Sequence, residues 1–423
     1  MRPATLLRRQ AGLSMVELMI AMVIALIGTI IMFQVFEVSE GIKRTTTAGG
    51  DAQSNGVIAL YVMENDLRQA GMGFNDTPYV GCTIQVYDAT RSPQDYTLNL
   101  LPVQITSGGN ARTPDRLTVF YGSQQIVGNA TTLQRSIDNL QTDVSFQVQN
   151  SFATRAGDLV VLLEPGTTKN CTLMEITAPA AGSYLDHRAS TTYTLGWANG
   201  TPSKTVRFNK PGGWTSPVSY GGSGANATRV FNLGNLYDIN GTYAYNGATM
   251  PVYNTYAVST TTLTVASSFN ATGPAAPVAV ADNIVHMRAL YALDDGVSDA
   301  TVPYQTGAAA AGDGRIDRFV DAPKFIGLGS PWQRVIAVRI VLVARSAQPE
   351  VGSGGPGSAC DTTTVATAPT WSAQQWPTSG VGAPSPALTM ISLDLSADAN
   401  WQCYRYKTFE TTVPLRNWIW KSS

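Results

Sequence analysis

The chain has 423 residues, 44% of them hydrophobic and only 13% charged, with a formal net charge of −1. That is apolar material enough for a real core, which excludes global disorder, while the near-neutral balance offers none of the basic surface with which nucleic-acid binders displace counterions from phosphates. The low charge, made up by Gly, Thr, Ser and Asn, is the texture of an exported β-rich protein.

The opening segment, MRPATLLRRQAG, carries Arg2, Arg8 and Arg9 and no acid, and it runs straight into LSMVELMIAMVIALIGTIIMFQVF. No residue from Leu18 to Phe36 is charged, and a helix of that length is roughly 28 Å long, close to the thickness of a bilayer core. Positive charge ahead of the span holds the N-terminus in the cytoplasm and sends the remaining chain outward. A secretory signal would end on small residues at a cleavage site, whereas EVSEGIKRTTTAGG follows here without an A-x-A pattern. A plain single-pass anchor accounts for the length but leaves Glu17 unexplained, because an unpaired acid at the start of an apolar run costs on the order of a few kcal/mol.

The run Ala11-Gly12-Leu13-Ser14-Met15-Val16-Glu17-Leu18 resembles the type IV prepilin cleavage and methylation motif. The resemblance implies that a membrane prepilin peptidase cuts between Gly12 and Leu13, methylates the new Leu13 amine, and leaves Glu17 as the fifth residue of the mature chain. Leu13 stands where the family most often has Phe. The chemistry is coherent with the motif: Gly12 presents a cut site without a side chain, and the freed amine of one subunit neutralises Glu17 of a neighbour in an apolar filament core better than either charge survives alone. Loss of the leader removes its three arginines and leaves the remainder mildly acidic.

The helix is expected to continue, amphipathic, through IALYVMENDLRQAG, with Val57, Leu60, Tyr61, Glu64 and Leu67 on neighbouring turns and with Glu64, Asp66 and Arg68 on its exposed face. Gly28, Gly41, Gly49 and Gly50 are soft points, each costing roughly 1 kcal/mol relative to Ala, and Gly71-Met72-Gly73 ends the rod. Beyond residue 75, short runs such as RLTVFYG, VSFQV, DLVVLLE, CTLMEIT and TTLTVAS alternate with Gly, Pro, Asn and Asp and predict strands. Residues 185–255, rich in Gly, Asn, Thr and Tyr and without a clean repeat, read as an insertion of unassigned topology. The fold class expected is α+β, a long N-terminal pilin helix followed by a large β-rich globular head. The divisions are a leader (1–12), a transmembrane half-helix (13–36), an amphipathic half-helix (37–72) and the head (73–423), which carries a Gly/Pro/Ser-rich loop (347–388).

Further on, IVHMRALYALDD, GDGRIDRFVDA, PWQRVIAVRIVLVARS and YRYKTFETTVPLRN, together with DLRQAG, resemble the PilW-like minor pilins over the helix and from about 281 to 418. The Arg334–Ser346 run reads as a central buried strand, with Arg339 and Arg345 in structural ion pairs. The loop after it is too poor in periodic apolar residues to form a core and reads as a surface excursion. Cys82, Cys171, Cys360 and Cys403 form no C-x-x-C pair and no zinc set. They read as two disulfides of an oxidising compartment, or alternatively as four inert buried thiols. A Cys360–Cys403 bridge would close the loop and stabilise it by about 4 kcal/mol in the chain-entropy model, which leaves Cys82 with Cys171.

Catalytic chemistry has little footing. His187 and His286 stand in neither H-E-x-x-H nor beside G-x-S-x-G, no Walker loop is present, and no enzyme activity or organic cofactor is expected. His286, inside the apolar IVHMRAL run, reads as a structural histidine. The one constellation of ligand character is Asp294, Asp295, Asp299, Asp313 and Asp317, carboxylates on Gly-containing turns that suit Ca²⁺, although the spacing departs from an EF-hand and Asp is also an ordinary turn residue. The function expected is that of a minor pilin in a type IV pilus initiation or tip complex. Its partners would be other minor pilins, the major pilin, the prepilin peptidase and the inner-membrane assembly platform. The protein would sit in the inner membrane with a periplasmic head, and at a pilus tip or the cell surface after assembly. The alternatives are a type II secretion pseudopilin and a membrane-tethered adhesin or binding protein.

Overall fold

A computed structural model describes residues 14–74, 80–123, 130–152, 154–222, 224, 226–243, 250–269, 276–294, 314, 316, 318–327, 332–350, 352, 358–374 and 388–419. One helix, α1, runs from Met15 to Gln69, about 82 Å at 1.5 Å per residue. No proline interrupts it, so every interior N–H can find its carbonyl one turn back. It begins after Ser14, which is extended at φ −65° and ψ 142°, and it stops just before Gly71, whose φ of 79° leaves the helical region.

The head is built on three principal sheets. A five-stranded antiparallel sheet has the order Val278–Asp282, Thr262–Ser267, Val252–Ser259, Arg116–Tyr121, Val103–Thr106. A four-stranded antiparallel sheet has the order Arg318–Val320, Ile284–Leu293, Val335–Arg345, Tyr406–Pro414. The third, six-stranded, has the order Asp95–Asn99, Thr83–Tyr87, Cys171–Glu175, Asp158–Leu163, Arg229–Asn235, Thr131–Thr132, with one parallel pairing, between Thr83–Tyr87 and Cys171–Glu175. Val335–Arg345 is buried along nearly its whole length, as its run of β-branched residues predicts. Arg339 and Arg345 leave it through ion pairs to Glu410 and Asp398, at 2.9 and 2.5 Å.

The second half of α1 packs on the four- and five-stranded sheets. One core joins them, with Met63 and Leu67 of the helix against strand residues such as Met287, Ile340 and Val413. A separate core fills the six-stranded sheet's lobe, around Phe120, Phe208 and Phe231.

Two stretches differ from the sequence reading. Residues 185–255 are not wholly an insertion: Arg229–Asn235 is an interior strand of the six-stranded sheet and Val252–Ser259 the middle strand of the five-stranded one. A β-bulge at Asn232/Gly234 breaks the alternation of Arg229–Asn235, and Asn232 is spent on a 2.7 Å bond to Asp158, so its pattern is hard to see in sequence. The region 347–388 is not wholly loop either. Thr370–Gln374 pairs with Leu388–Ser392, and Trp371 is buried against Leu290, Val341 and Leu393 while its indole N–H donates to Glu410 at 2.8 Å.

Candidate assembly interface

Glu17 lies in the first turn of α1 and is exposed. From Met15 to Lys43 the helix is apolar enough and long enough to cross a membrane, and none of its most apolar window is covered by the rest of the protein. Phe33, Phe36 and Ile31 stand 69%, 70% and 54% exposed. A surface of that kind is unstable in water and stable only in lipid or against other helices. The hydroxyls of Thr29 and Thr46 are turned back onto the carbonyls of Ala25 and Ile42, at 2.8 and 2.9 Å, so neither presents a bare polar group. Gly12 and Leu13, the expected processing site, lie outside the described residues.

The other half of α1 is clamped by the head. Its buried stripe is Ala52, Gly56, Ala59, Met63, Leu67 and Ala70, the three-and-four spacing of one helical face. Val57 and Tyr61, expected on neighbouring turns of the apolar face, are instead 53% and 71% exposed. Small residues form the seam because the edge strand comes so near: a Cβ on Gly56 would lie 2.2 Å from the Phe409 ring.

Asp66, expected at the surface, is buried at 9% exposure. It accepts hydrogen bonds from Tyr121 Oη at 3.1 Å, Tyr256 Oη at 2.6 Å and Asn254 Nδ2 at 2.9 Å. Burial first, and then the adjacent Asp66 charge, raises both tyrosine hydroxyls well above their ordinary range, so they stay donors. Sequence periodicity missed this acid because its partners are more than fifty residues away on strands. The signal available was Tyr and Asn at alternating strand positions facing one acid.

The end of α1 is closed from the far end of the chain. Asn417, on the short helix Arg416–Ile419, points its side-chain amide at the carbonyls of Arg68, Gln69 and Ala70, at 3.5, 3.1 and 3.5 Å, which are among the acceptors that every helix terminus leaves unpaired. Lys407 adds a 2.9 Å bond to Gln53.

Cys82 is joined to Cys171 and Cys360 to Cys403, and no free cysteine exists. Of the five aspartates considered for calcium, only Asp294 is described. It is buried, accepts the Gly314 N–H at 2.8 Å and donates its own N–H to Arg334. Asp295, Asp299, Asp313 and Asp317 lie outside the described residues, and among the described residues no group of three His, Cys, Asp or Glu is placed to hold a metal.

Elsewhere several buried polar groups answer one another. Arg207 grips Asp88 with two bonds of 2.6 and 2.7 Å, and Glu175 accepts from Tyr193 Oη and from the N–H groups of Arg207 and Phe208. His286 bonds the Ala111 carbonyl through Nε2 at 3.0 Å. Burial, and then the neighbouring Arg288 charge, pushes its pKa down to about 4, so the ring is neutral and structural.

Comparison with known families gives two matches. Residues 248–417 match the model for Type IV Pilus-assembly protein W, and residues 7–33 match the Prokaryotic N-terminal methylation motif. The first match takes in the whole four-stranded sheet and three strands of the five-stranded one, the part of the head that carries α1. The six-stranded sheet lies outside it. No curated protein and no solved structure matches the chain.

Proposed function

We propose that this chain, a PilW-like type IV pilin, is a minor subunit that enters the pilus at its initiating or distal end and does not form the shaft. The observation that carries the reading is the division of α1 into a bare apolar half, Met15–Lys43, and a half locked to the head by the Ala52–Ala70 stripe and by Asp66. The bare half is held by lipid before assembly and by the helices of other pilins after it. In this reading a prepilin peptidase cuts after Gly12, the methylated Leu13 amine of one subunit meets Glu17 of another, and the head faces the periplasm until the assembly platform lifts the subunit out. The protein acts by packing, without catalysis or a cofactor. A head of about 350 residues, with a radius of gyration near 20 Å by the usual scaling, fits one end of a filament more easily than every position along it.

A strain producing Glu17→Val tests the assignment. Leader removal and membrane insertion are expected to be intact and the number of surface pili reduced, with immunogold labelling of the parent confined to pilus ends. Regular labelling along the shaft, or unchanged pilus number with lost protein secretion, would sink it.

A further inference from the structure

The lobe built on the six-stranded sheet contains a cavity of about 410 Å³ that the assembly reading does not use, within the range of roughly 300–1,000 Å³ typical of small-molecule sites. Three loops make its walls. The segment after Asn139 is tied down by the Leu140 N–H to Val218 and by the Asn139 N–H to Asp143 Oδ2, at 2.7 and 3.1 Å. The segment at 187–191 is tied to the first by the His187 N–H to Val144 at 2.9 Å. The third, 209–214, is anchored by Asn209, which bonds the Glu175 backbone at both its N–H and its carbonyl. Close approach fixes the third loop against the first: a Cβ on Gly213 would lie 2.1 Å from the Leu140 carbonyl. The floor is Leu173 and Met174 of the six-stranded sheet. The site is therefore preorganised by bonds to the main chain.

The geometry points to binding of a neutral saccharide in this cavity. Trp214 supplies a partly exposed aromatic wall, and it is held by Lys210, whose Nζ lies 4.3 Å from the ring centre and is bonded to Asp95 at 2.5 Å. An aromatic face with a few polar groups around it suits the C–H face of a pyranose ring, which is apolar while its rim is all hydroxyls. The charges argue against an ionic ligand. Both cations on the wall already have acids, Lys210 with Asp95 and Arg188 with Asp186 at 3.7 Å, and Asp143 disfavours an anion while standing alone as too little to hold a cation. What remains is matched to hydroxyls: the Asp143 carboxylate as acceptor and the Gln141 amide as both donor and acceptor. His187 lines the cavity as packing, 7% exposed with its ring centre 5.5 Å from that of Phe146.

Full-length protein in a zwitterionic detergent without sugar headgroups is mixed with the methyl pyranosides of glucose, galactose, mannose and N-acetylglucosamine, with lactose and with chitobiose, and saturation-transfer NMR is read from each. Transfer to at least one of them is expected, with an affinity weakened about tenfold or more by Trp214→Ala and by Gln141→Ala. Gln141 is exposed, so its variant keeps the test open if Trp214→Ala fails to fold. Absence of transfer from every probe overturns the proposal. So does an affinity unchanged in Gln141→Ala and, where it folds, in Trp214→Ala, or preferential binding of inorganic phosphate or a methyl sialoside. None of these results bears on pilus number, so this site and the assembly role stand or fall separately.

Discussion

Tyr256 donates its hydroxyl hydrogen to Asp66 across 2.6 Å, so the middle strand of the five-stranded sheet holds the anchor helix by a buried polar bond. Tyr121 and Asn254 add two more donors to the same carboxylate. Asp66→Ala would leave two buried hydroxyls and the half-buried Asn254 amide without this acceptor, and a loss of about 2–4 kcal/mol is expected. Urea unfolding of the full chain in detergent measures it, and a loss below about 1 kcal/mol would mean that water replaces the carboxylate.

Two glycines of one helix should respond oppositely to the same change. Gly49→Ala meets nothing within 4 Å and is expected to gain about 0.5–1 kcal/mol from helix propensity. Gly56→Ala drives a methyl into the Phe409 ring and is expected to lose about 1–2 kcal/mol despite that gain. The pair of melting temperatures decides it, and a stabilised Gly56→Ala would show that the ring yields freely.

The division between legible and illegible features follows the range of the interactions. The apolar span, the helix end before Gly71 and the Val335–Arg345 strand are written in short runs of sequence, because bilayer thickness, backbone conformation and continuous burial each act locally. Asp66 looked like a surface acid because its three partners come from strands that begin 50 and 186 residues further on. Trp371 sat in a stretch dominated by Gly, Pro and Ser, and its burial depends on a sheet face that no local pattern describes. The cavity walls likewise come from loops separated by whole strands.

Opposite pH dependences are expected from two buried groups. Burial pushes the Asp158 carboxyl up to about 6, against the pull of hydrogen bonds from Arg155, Asn232 and Asn235. The folded chain thus keeps a proton that the unfolded chain sheds, and this contribution is present below the ordinary value near 4 and lost as pH rises through 6. Asp158→Asn should therefore gain on the parent by up to about 3 kcal/mol between pH 4 and pH 6. His286, pushed down to about 4, contributes fully above about 6.5 and loses that contribution as pH falls through 4, so His286→Phe should gain on the parent toward acid. Unfolding curves at pH 4, 5, 6 and 7 read both, and parallel profiles for variants and parent would contradict the assignment.

The two bridges should differ modestly in their effect. Their sequence separations are 89 for Cys82–Cys171 and 43 for Cys360–Cys403, worth about 4.6 and about 4 kcal/mol in the chain-entropy model. Non-reducing peptide mapping of protein from the cell envelope should return these two linkages, and Cys82→Ser with Cys171→Ser should lower the urea midpoint at least as far as the other pair. Alkylation of four thiols in that material would refute both.

The contact between Asn417 and the end of α1, together with the Tyr406–Pro414 strand lying along the same helix, sets the order in which this molecule can be finished. The second half of α1 is covered by a strand and a short helix about 350 residues further along the chain, so a copy that lacks them cannot close its helix seam. A chain stopped before Tyr406 is expected to reach the membrane with the Ala52–Ala70 stripe bare and to be cleared by proteolysis, which pulse-chase of such a truncation would show. Closure of the seam thereby waits on residues far along the chain, a dependence enforced by the fold itself.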